Sequence, residues 1–117
     1  QKKKIIVSLF IDPDFDQIKA AADLGAEFIE LHTGHYANAN ARLRPKQLDK
    51  LMKGAQIAID NGLRVNAGHG LNYTNVQDIL KLPGLEELNI GHAIISRAVF
   101  TGLTQAVREM KEIIIRG

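Results

Sequence analysis

Short apolar runs alternate with amphipathic stretches along the whole chain. The first run, Ile5-Ile6-Val7-Ser8-Leu9-Phe10-Ile11, is nearly continuous in apolar and β-branched residues, the pattern of a strand buried on both faces. Asp12-Pro13-Asp14 ends it. Asp14 is the expected N-cap of a helix with Ile18, Ala21 and Ala22 on its apolar face, and Gly25 stops that helix. A second strand is predicted over Phe28-Ile29-Glu30-Leu31-His32, followed by a Thr33-Gly34 turn and a polar loop through Asn38 and Asn40. Pro45 suits the first turn of the next helix, whose stripe is Leu48, Leu51, Met52, Ala55 and Ile59, closed by Asn61-Gly62.

The third strand is predicted over Leu63-Arg64-Val65-Asn66-Ala67, running into Gly68-His69-Gly70. A short helix from Asn75 to Leu80 follows, with Thr74 as its expected N-cap. Pro83-Gly84 breaks the chain before the fourth strand, Glu87-Leu88-Asn89-Ile90, which ends in Gly91-His92. Ala93-Ile94-Ile95 opens a further helical stretch, and the last helix carries Leu103, Ala106, Val107, Met110, Ile113 and Ile114 on one face. Strands alternating with helices predict an α/β fold with a parallel sheet. Four such units are half of a TIM (β/α)₈ barrel, which typically takes about 250 residues. An open four-stranded α/β sheet is the competing arrangement, and the pattern does not separate the two.

Composition narrows the class. With 117 residues the chain is one domain spanning 1–117, and its 45% hydrophobic and 24% charged content is the ordinary globular mixture. No apolar run approaches the roughly 20 residues that cross a bilayer, so no membrane partner is expected. The start, Gln1-Lys2-Lys3-Lys4, leads directly into a strand-like run, so a signal peptide is not expected either. Because the chain begins with Gln1 rather than Met, a processed product and a piece of a longer chain both stay open. The absence of cysteine excludes a disulfide framework and thiolate metal sites, and fits a cytoplasmic location. A formal charge of +2, with Lys2 to Lys4 as the single basic run and no interleaved aromatics, predicts no nucleic-acid partner.

Chemistry gathers at one end of the predicted strands. Asp12 follows the first, Glu30 and His32 close the second, Gly68-His69-Gly70 follow the third and Gly91-His92 the fourth. Ligands of parallel α/β folds bind at these carboxyl ends. Three of the 4 histidines, His32, His69 and His92, fall there, with His35 in the adjacent loop. Glycines let backbone approach a ligand, and a histidine between them can serve as general acid or base. A turn around a merely hydrogen-bonded histidine is the plainer alternative. Gly91-His92 before a helix is a candidate anion site, or a simple strand-to-helix connection. Glu30 alternates with Ile29 and Leu31, so it faces the opposite side of its strand and would have a raised pKa if partly buried. It is either a site carboxylate or one half of an ion pair with Arg64 or Lys4. His32 shares its parity, and the two are candidates for one hydrogen-bonded unit. No H-E-x-x-H spacing occurs, so no metal and no cofactor is assigned.

Several strings together carry a resemblance. Val7-Ser8-Leu9-Phe10-Ile11-Asp12, Phe28-Ile29-Glu30-Leu31-His32-Thr33-Gly34 with Tyr36-Ala37, Val65-Asn66-Ala67-Gly68-His69-Gly70-Leu71, Glu87-Leu88-Asn89-Ile90-Gly91-His92-Ala93-Ile94 and Arg97-Ala98-Val99-Phe100-Thr101-Gly102-Leu103 occur in order over nearly the whole chain. In these strings the sequence resembles the pyridoxine 5′-phosphate synthase family of vitamin B6 biosynthesis. The resemblance implies a (β/α)₈ barrel, of which these are the last four βα units. It also implies condensation of 3-amino-2-oxopropyl phosphate with 1-deoxy-D-xylulose 5-phosphate to pyridoxine 5′-phosphate, phosphate and water.

By the same match His69 falls on the proton donor and Glu30 on a carboxylate that stabilises a transition state. Gly70, Gly91 and His92 fall on contacts to the aminoketone phosphate, while His32 and Asn66 are supporting candidates. The family chain is about twice as long. A further histidine and glutamate that act as bases, and the arginine and threonine contacts to the xylulose phosphate, belong to its other half. This half alone is therefore expected to be inactive, to pair with itself or with the complementary half, and to expose a broad apolar inner face. A non-catalytic, self-associating phosphate-binding half-barrel and a different sugar-phosphate enzyme on the same barrel are the alternatives.

Overall fold

The computed structural model describes residues 3–117, so Lys2 of the basic run lies outside the described residues. In chain order the elements are β1 (Ser8–Ile11), α1 (Phe15–Asp23), β2 (Phe28–His32), α2 (Gly34–Asn38), α3 (Arg44–Asp60), β3 (Arg64–Gly68), α4 (Val76–Ile79), β4 (Leu85–Asn89), α5 (His92–Thr101) and α6 (Leu103–Arg116). The four strands form one sheet in the order β1-β2-β3-β4, parallel throughout. This is the α/β fold that the alternating pattern predicts.

Strand alternation sorts the side chains between two faces. Ile29, Leu31, Val65 and Ala67 are fully buried on one face. They meet Ile18 and Ala21 of α1, Leu51, Ala55 and Ala58 of α3, and Val76 and Ile79 of α4 in one continuous core. The chain caps α1 as expected. Asp14 accepts from the Gln17 backbone N–H, and Gln17 in turn accepts from the Asp12 N–H at 3.0 Å. These bonds hold the turn that leaves β1.

The opposite face is where sequence expectation and structure part. The register lines up Ser8, Phe28 and Arg64 in one row, Phe10, Glu30, Asn66 and Glu87 in the next, and His32, Gly68 and Asn89 in the third. The broad apolar inner face is thus a mainly polar one, interrupted by Phe10 and Phe28. Nor is β1 buried on both sides. Ile5, Ile6 and Val7 precede the strand and are exposed, and Phe10 is 55% exposed, because β1 is an edge strand with one uncovered face. A second group of exposed apolar side chains lies on the last two helices: Ile95, Val99 and Phe100 on α5, and Leu103 and Val107 on α6.

Three local expectations are corrected. The segment after Thr33 is not all loop, since Gly34–Asn38 forms α2, pinned by the buried Tyr36. Thr74 is not the cap of α4. Its hydroxyl donates to Asn72 Oδ1, and Asn75 occupies the cap position without a side-chain capping bond. β3 and β4 are each displaced by one or two residues from their predicted bounds, with a register shift between Val65 and Asn66. The extra residue there, Glu86, ties back to Arg64, whose guanidinium lies 4.3 Å from the centre of the Phe28 ring. Arg64 is therefore committed to Glu86 and not to Glu30.

Candidate functional site

The turn after β3 departs furthest from ordinary backbone. His69 has φ 94° and Gly70 φ 76°, so two consecutive residues take left-handed values, which costs a non-glycine residue about 1–3 kcal/mol. Neighbouring groups hold the turn by each of its three carbonyls. Gly68 O accepts from the Thr33 N–H at 3.0 Å, His69 O from Thr33 Oγ1 at 2.6 Å, and Gly70 O from Asn75 Nδ2 at 3.2 Å. Asn75 is itself fixed, because its Oδ1 accepts from the Asn72 N–H and its carbonyl from the Tyr36 hydroxyl at 2.6 Å. Burial, then the charge of Asp78, raise the Tyr36 pKa, against a smaller lowering by Arg44. The phenol thus stays a donor at neutral pH.

This scaffold presents His69 to a cavity of about 830 Å³ at the carboxyl ends of the strands. Its walls include Phe10, Glu30, His69, Gly70, Asn89, Gly91 and His92. Five of the residues singled out in the sequence, Glu30, His69, Gly70, Gly91 and His92, thus meet at one cavity although they come from three separate strand ends. Gly91 is the N-cap of α5, and a Cβ built on it would meet nothing within 4 Å. The first N–H groups of α5 have no acceptor within the helix, and they carry the positive end of its dipole. Anions are stabilised at such a terminus.

Glu30 stands on the cavity wall, half-buried, and accepts from Asn89 Nδ2 at 2.5 Å. Close packing enforces that arrangement: a Cβ on Gly68 would lie 2.7 Å from Glu30 Oε2 and 2.9 Å from the Asn89 carbonyl. Glu30 and His32 are not one hydrogen-bonded unit. They are two residues apart on the same face but engage different partners, with His32 Nδ1 lying 3.1 Å from Asp12 Oδ1. Among the described residues neither Arg64 nor Lys4 pairs with Glu30.

The supporting candidates lie behind the cavity rather than on it. The His32 ring packs against His69, with centroids 4.8 Å apart, and against the edge of Phe10 at 5.0 Å. Gly34 makes room for this stack, since a Cβ there would sit 2.5 Å from His32 Nε2 and 3.0 Å from His69 Cδ2. Asn66 is 6% exposed beside Glu30 in the register, and its Oδ1 has no protein partner. Sequence reasoning missed Thr33, Asn89 and Phe10 as parts of this arrangement. Only their positions at strand ends, beside the residues it did select, could have flagged them.

Fold and cavity together define a parallel α/β chain with a histidine-bearing cleft where its strands end. Residues 1–116 match the family model described as pyridoxal phosphate biosynthesis protein PdxJ, and the chain belongs to that family. It is 61% identical over 112 residues to the pyridoxine 5′-phosphate synthase of Crocosphaera subtropica, covering 95% of this chain and 47% of that protein. Its identity to the synthase of a Sulfurihydrogenibium species is 54% over 115 residues, covering 98% of this chain and 47% of that one. The chain spans about half the length of the curated relatives it matches. No helix of the described residues is long and apolar enough to cross a membrane.

Proposed function

We infer that the chain is the C-terminal half of a (β/α)₈-barrel pyridoxine 5′-phosphate synthase, and that it supplies the general acid and the aminoketone-phosphate site. The convergence of Glu30, His69, Gly70, Gly91 and His92 on one cavity carries this reading. In it, the phosphate of 3-amino-2-oxopropyl phosphate rests on the N-terminus of α5, held by backbone N–H groups near Gly91 and His92 with Gly70 close by. That leaves the carbon end of the substrate towards His69 and Glu30.

His69 donates a proton to the oxygen that departs as water, which turns a poor leaving group into a good one. Glu30, held by Asn89, offers a fixed negative charge to the positive charge that develops on the substrate nitrogen and carbon skeleton. Condensation with 1-deoxy-D-xylulose 5-phosphate then gives pyridoxine 5′-phosphate, phosphate and water. The bases and the contacts to the second phosphate come from the other half of the barrel, so this half alone makes no product.

Turnover of the two phosphorylated substrates by the intact protein, followed by appearance of pyridoxine 5′-phosphate, tests the reading. An intact protein that binds the aminoketone phosphate but forms no product would favour the second reading, a phosphate-binding half-barrel without catalysis. The exposed apolar side chains of α5 and α6 favour self-association under that reading.

A further inference from the structure

A second set of donor atoms lies beside the cavity but outside its walls. Asp12 follows β1, His32 ends β2 and His35 lies in the first turn of α2. Adjacent parallel strands with Ile11 level with Leu31 bring Asp12 and His32 side by side, and the turn into α2 folds His35 back over them. We propose that Asp12, His32 and His35 form a binding site for a divalent transition-metal ion of the zinc type.

Geometry is the first argument. One donor atom from each of the three residues lies within 4.8 Å of the other two. A single point therefore lies within about 2.8 Å of all three, against the roughly 2.0–2.2 Å of zinc bonds to imidazole nitrogen and carboxylate oxygen. Contraction by less than about 1 Å completes three bonds, within reach of small side-chain torsions of groups that are partly exposed.

Ligand chemistry is the second. Two imidazoles and one carboxylate suit zinc, cobalt or nickel, whereas magnesium and calcium require oxygen donors throughout. Three protein ligands leave a coordination position open to water or a small ligand. The absence of H-E-x-x-H spacing in the sequence does not bear on this set, because the fold assembles it from two strand ends and a helix.

His35 is the third. A hydrogen bond between Asp12 and His32, at 3.1 Å, is complete without it. Among the described residues the His35 side chain makes no hydrogen bond, yet its ring stands edge-on to His32 with centroids 5.6 Å apart. An ion between the three gives that convergence a purpose. Because His32 also packs on His69, the bound ion would fix the ring against which His69 rests.

The intact protein, stripped by chelator and titrated with cobalt(II), tests the site. One equivalent per chain is expected to give a visible d–d band that zinc abolishes. His35→Ala, at an exposed position, should weaken cobalt binding at least tenfold, while His92→Ala on the cavity should leave it unchanged. His35→Cys should restore binding and add an intense thiolate-to-cobalt band in the near ultraviolet. Thermal unfolding of the metal-free variants separates loss of the site from loss of the fold. Equal cobalt affinity in wild type and His35→Ala, or equal loss in His92→Ala, overturns the proposal.

Discussion

Thr33 Oγ1 donates to the carbonyl of His69 at 2.6 Å while the Thr33 N–H donates to the carbonyl of Gly68 at 3.0 Å. One buried residue at the end of β2 thus holds two successive peptide units after β3, on either side of the left-handed His69. Valine has nearly the same shape but no donor. Thr33→Val should cost about 1–2 kcal/mol in urea unfolding, because the His69 carbonyl loses its partner and the turn its restraint. In the intact protein it should also lower turnover more than it raises KM. Unchanged turnover would mean that the hydroxyl does not position His69.

His69 and Asn89 separate two roles. His69→Ala should reduce turnover by about 10²- to 10⁴-fold with a much smaller change in KM, as for loss of a general acid. Asn89→Leu removes the donor to Glu30 without touching His69, and should reduce turnover by about tenfold, near the worth of one hydrogen bond to a charged group. A His69→Ala protein that keeps more than half of wild-type turnover takes that imidazole out of the mechanism.

Glycines at the site differ in what surrounds them. A Cβ on Gly68 would meet the backbone carbonyl of Asn89 at 2.9 Å, and that carbonyl belongs to the β3–β4 ladder. Gly68→Ala should therefore lower stability by about 1–3 kcal/mol, as overpacking typically does. Gly91→Ala, facing open space, should leave stability within about 0.5 kcal/mol of wild type. Gly91→Val should nevertheless weaken phosphate binding, since its branches fill the room at the start of α5 where the anion would lie. Calorimetric titration with inorganic phosphate and thermal unfolding of all three variants read both effects.

Two exposed ion pairs set a pH dependence. The hydrogen bond from Arg64 lowers the Glu86 pKa from 4.5, and that from Arg97 does the same for Glu109, in each case outweighing an opposing effect of desolvation. A carboxylate with a depressed folded pKa stabilises fully above its unfolded value and loses that contribution as pH falls through the folded one. The urea midpoint should accordingly fall on acidification below about pH 4.5. Glu109→Gln, which removes the charge that Arg97 of α5 meets on α6, should flatten part of that decline. A slope identical to wild type would assign the acid sensitivity to other groups.

The legible parts of the molecule are those set by local pattern. β2 runs from Phe28 to His32 as its alternation requires, and Asp14 caps α1 because the three-residue spacing to Gln17 is written in the chain. Strand ends were enough to select Glu30, His69, Gly70, Gly91 and His92, since parallel strands deliver their following residues to one edge. The partners of those residues were not legible. Asn89 reaches Glu30 across 59 residues and His32 reaches Asp12 across 20, and parity alone suggested Glu30 with His32. Helix α2 escaped notice because Gly34 and Asn38 are poor helix formers and tertiary contacts stabilise it, chiefly the Tyr36 hydroxyl on Asn75. The apolar face read into the last helix includes Leu103 and Val107, which with Ile95, Val99 and Phe100 of α5 form an exposed apolar set, whereas the inner face of the sheet, expected to be apolar, is mainly polar.

That set carries the last prediction, which concerns this chain expressed alone. Ile95, Val99 and Phe100 are 60%, 78% and 86% exposed, and Leu103 and Val107 continue the exposure on α6. Exposed apolar surface disfavours the monomer by roughly 25 cal/mol per Å², and several hundred Å² of it is comparable with much of a typical 5–15 kcal/mol stability. The edges of β1 and β4 add unpaired backbone groups. At micromolar concentration the isolated chain should therefore sediment as a dimer or larger species and form no pyridoxine 5′-phosphate. Phe100→Glu places a charge at the most exposed of these side chains and should shift the distribution towards monomer without unfolding it. If Phe100→Glu leaves the sedimentation unchanged, association runs through the sheet edges instead. A monodisperse wild-type monomer that makes product would refute both the association and the need for a second half.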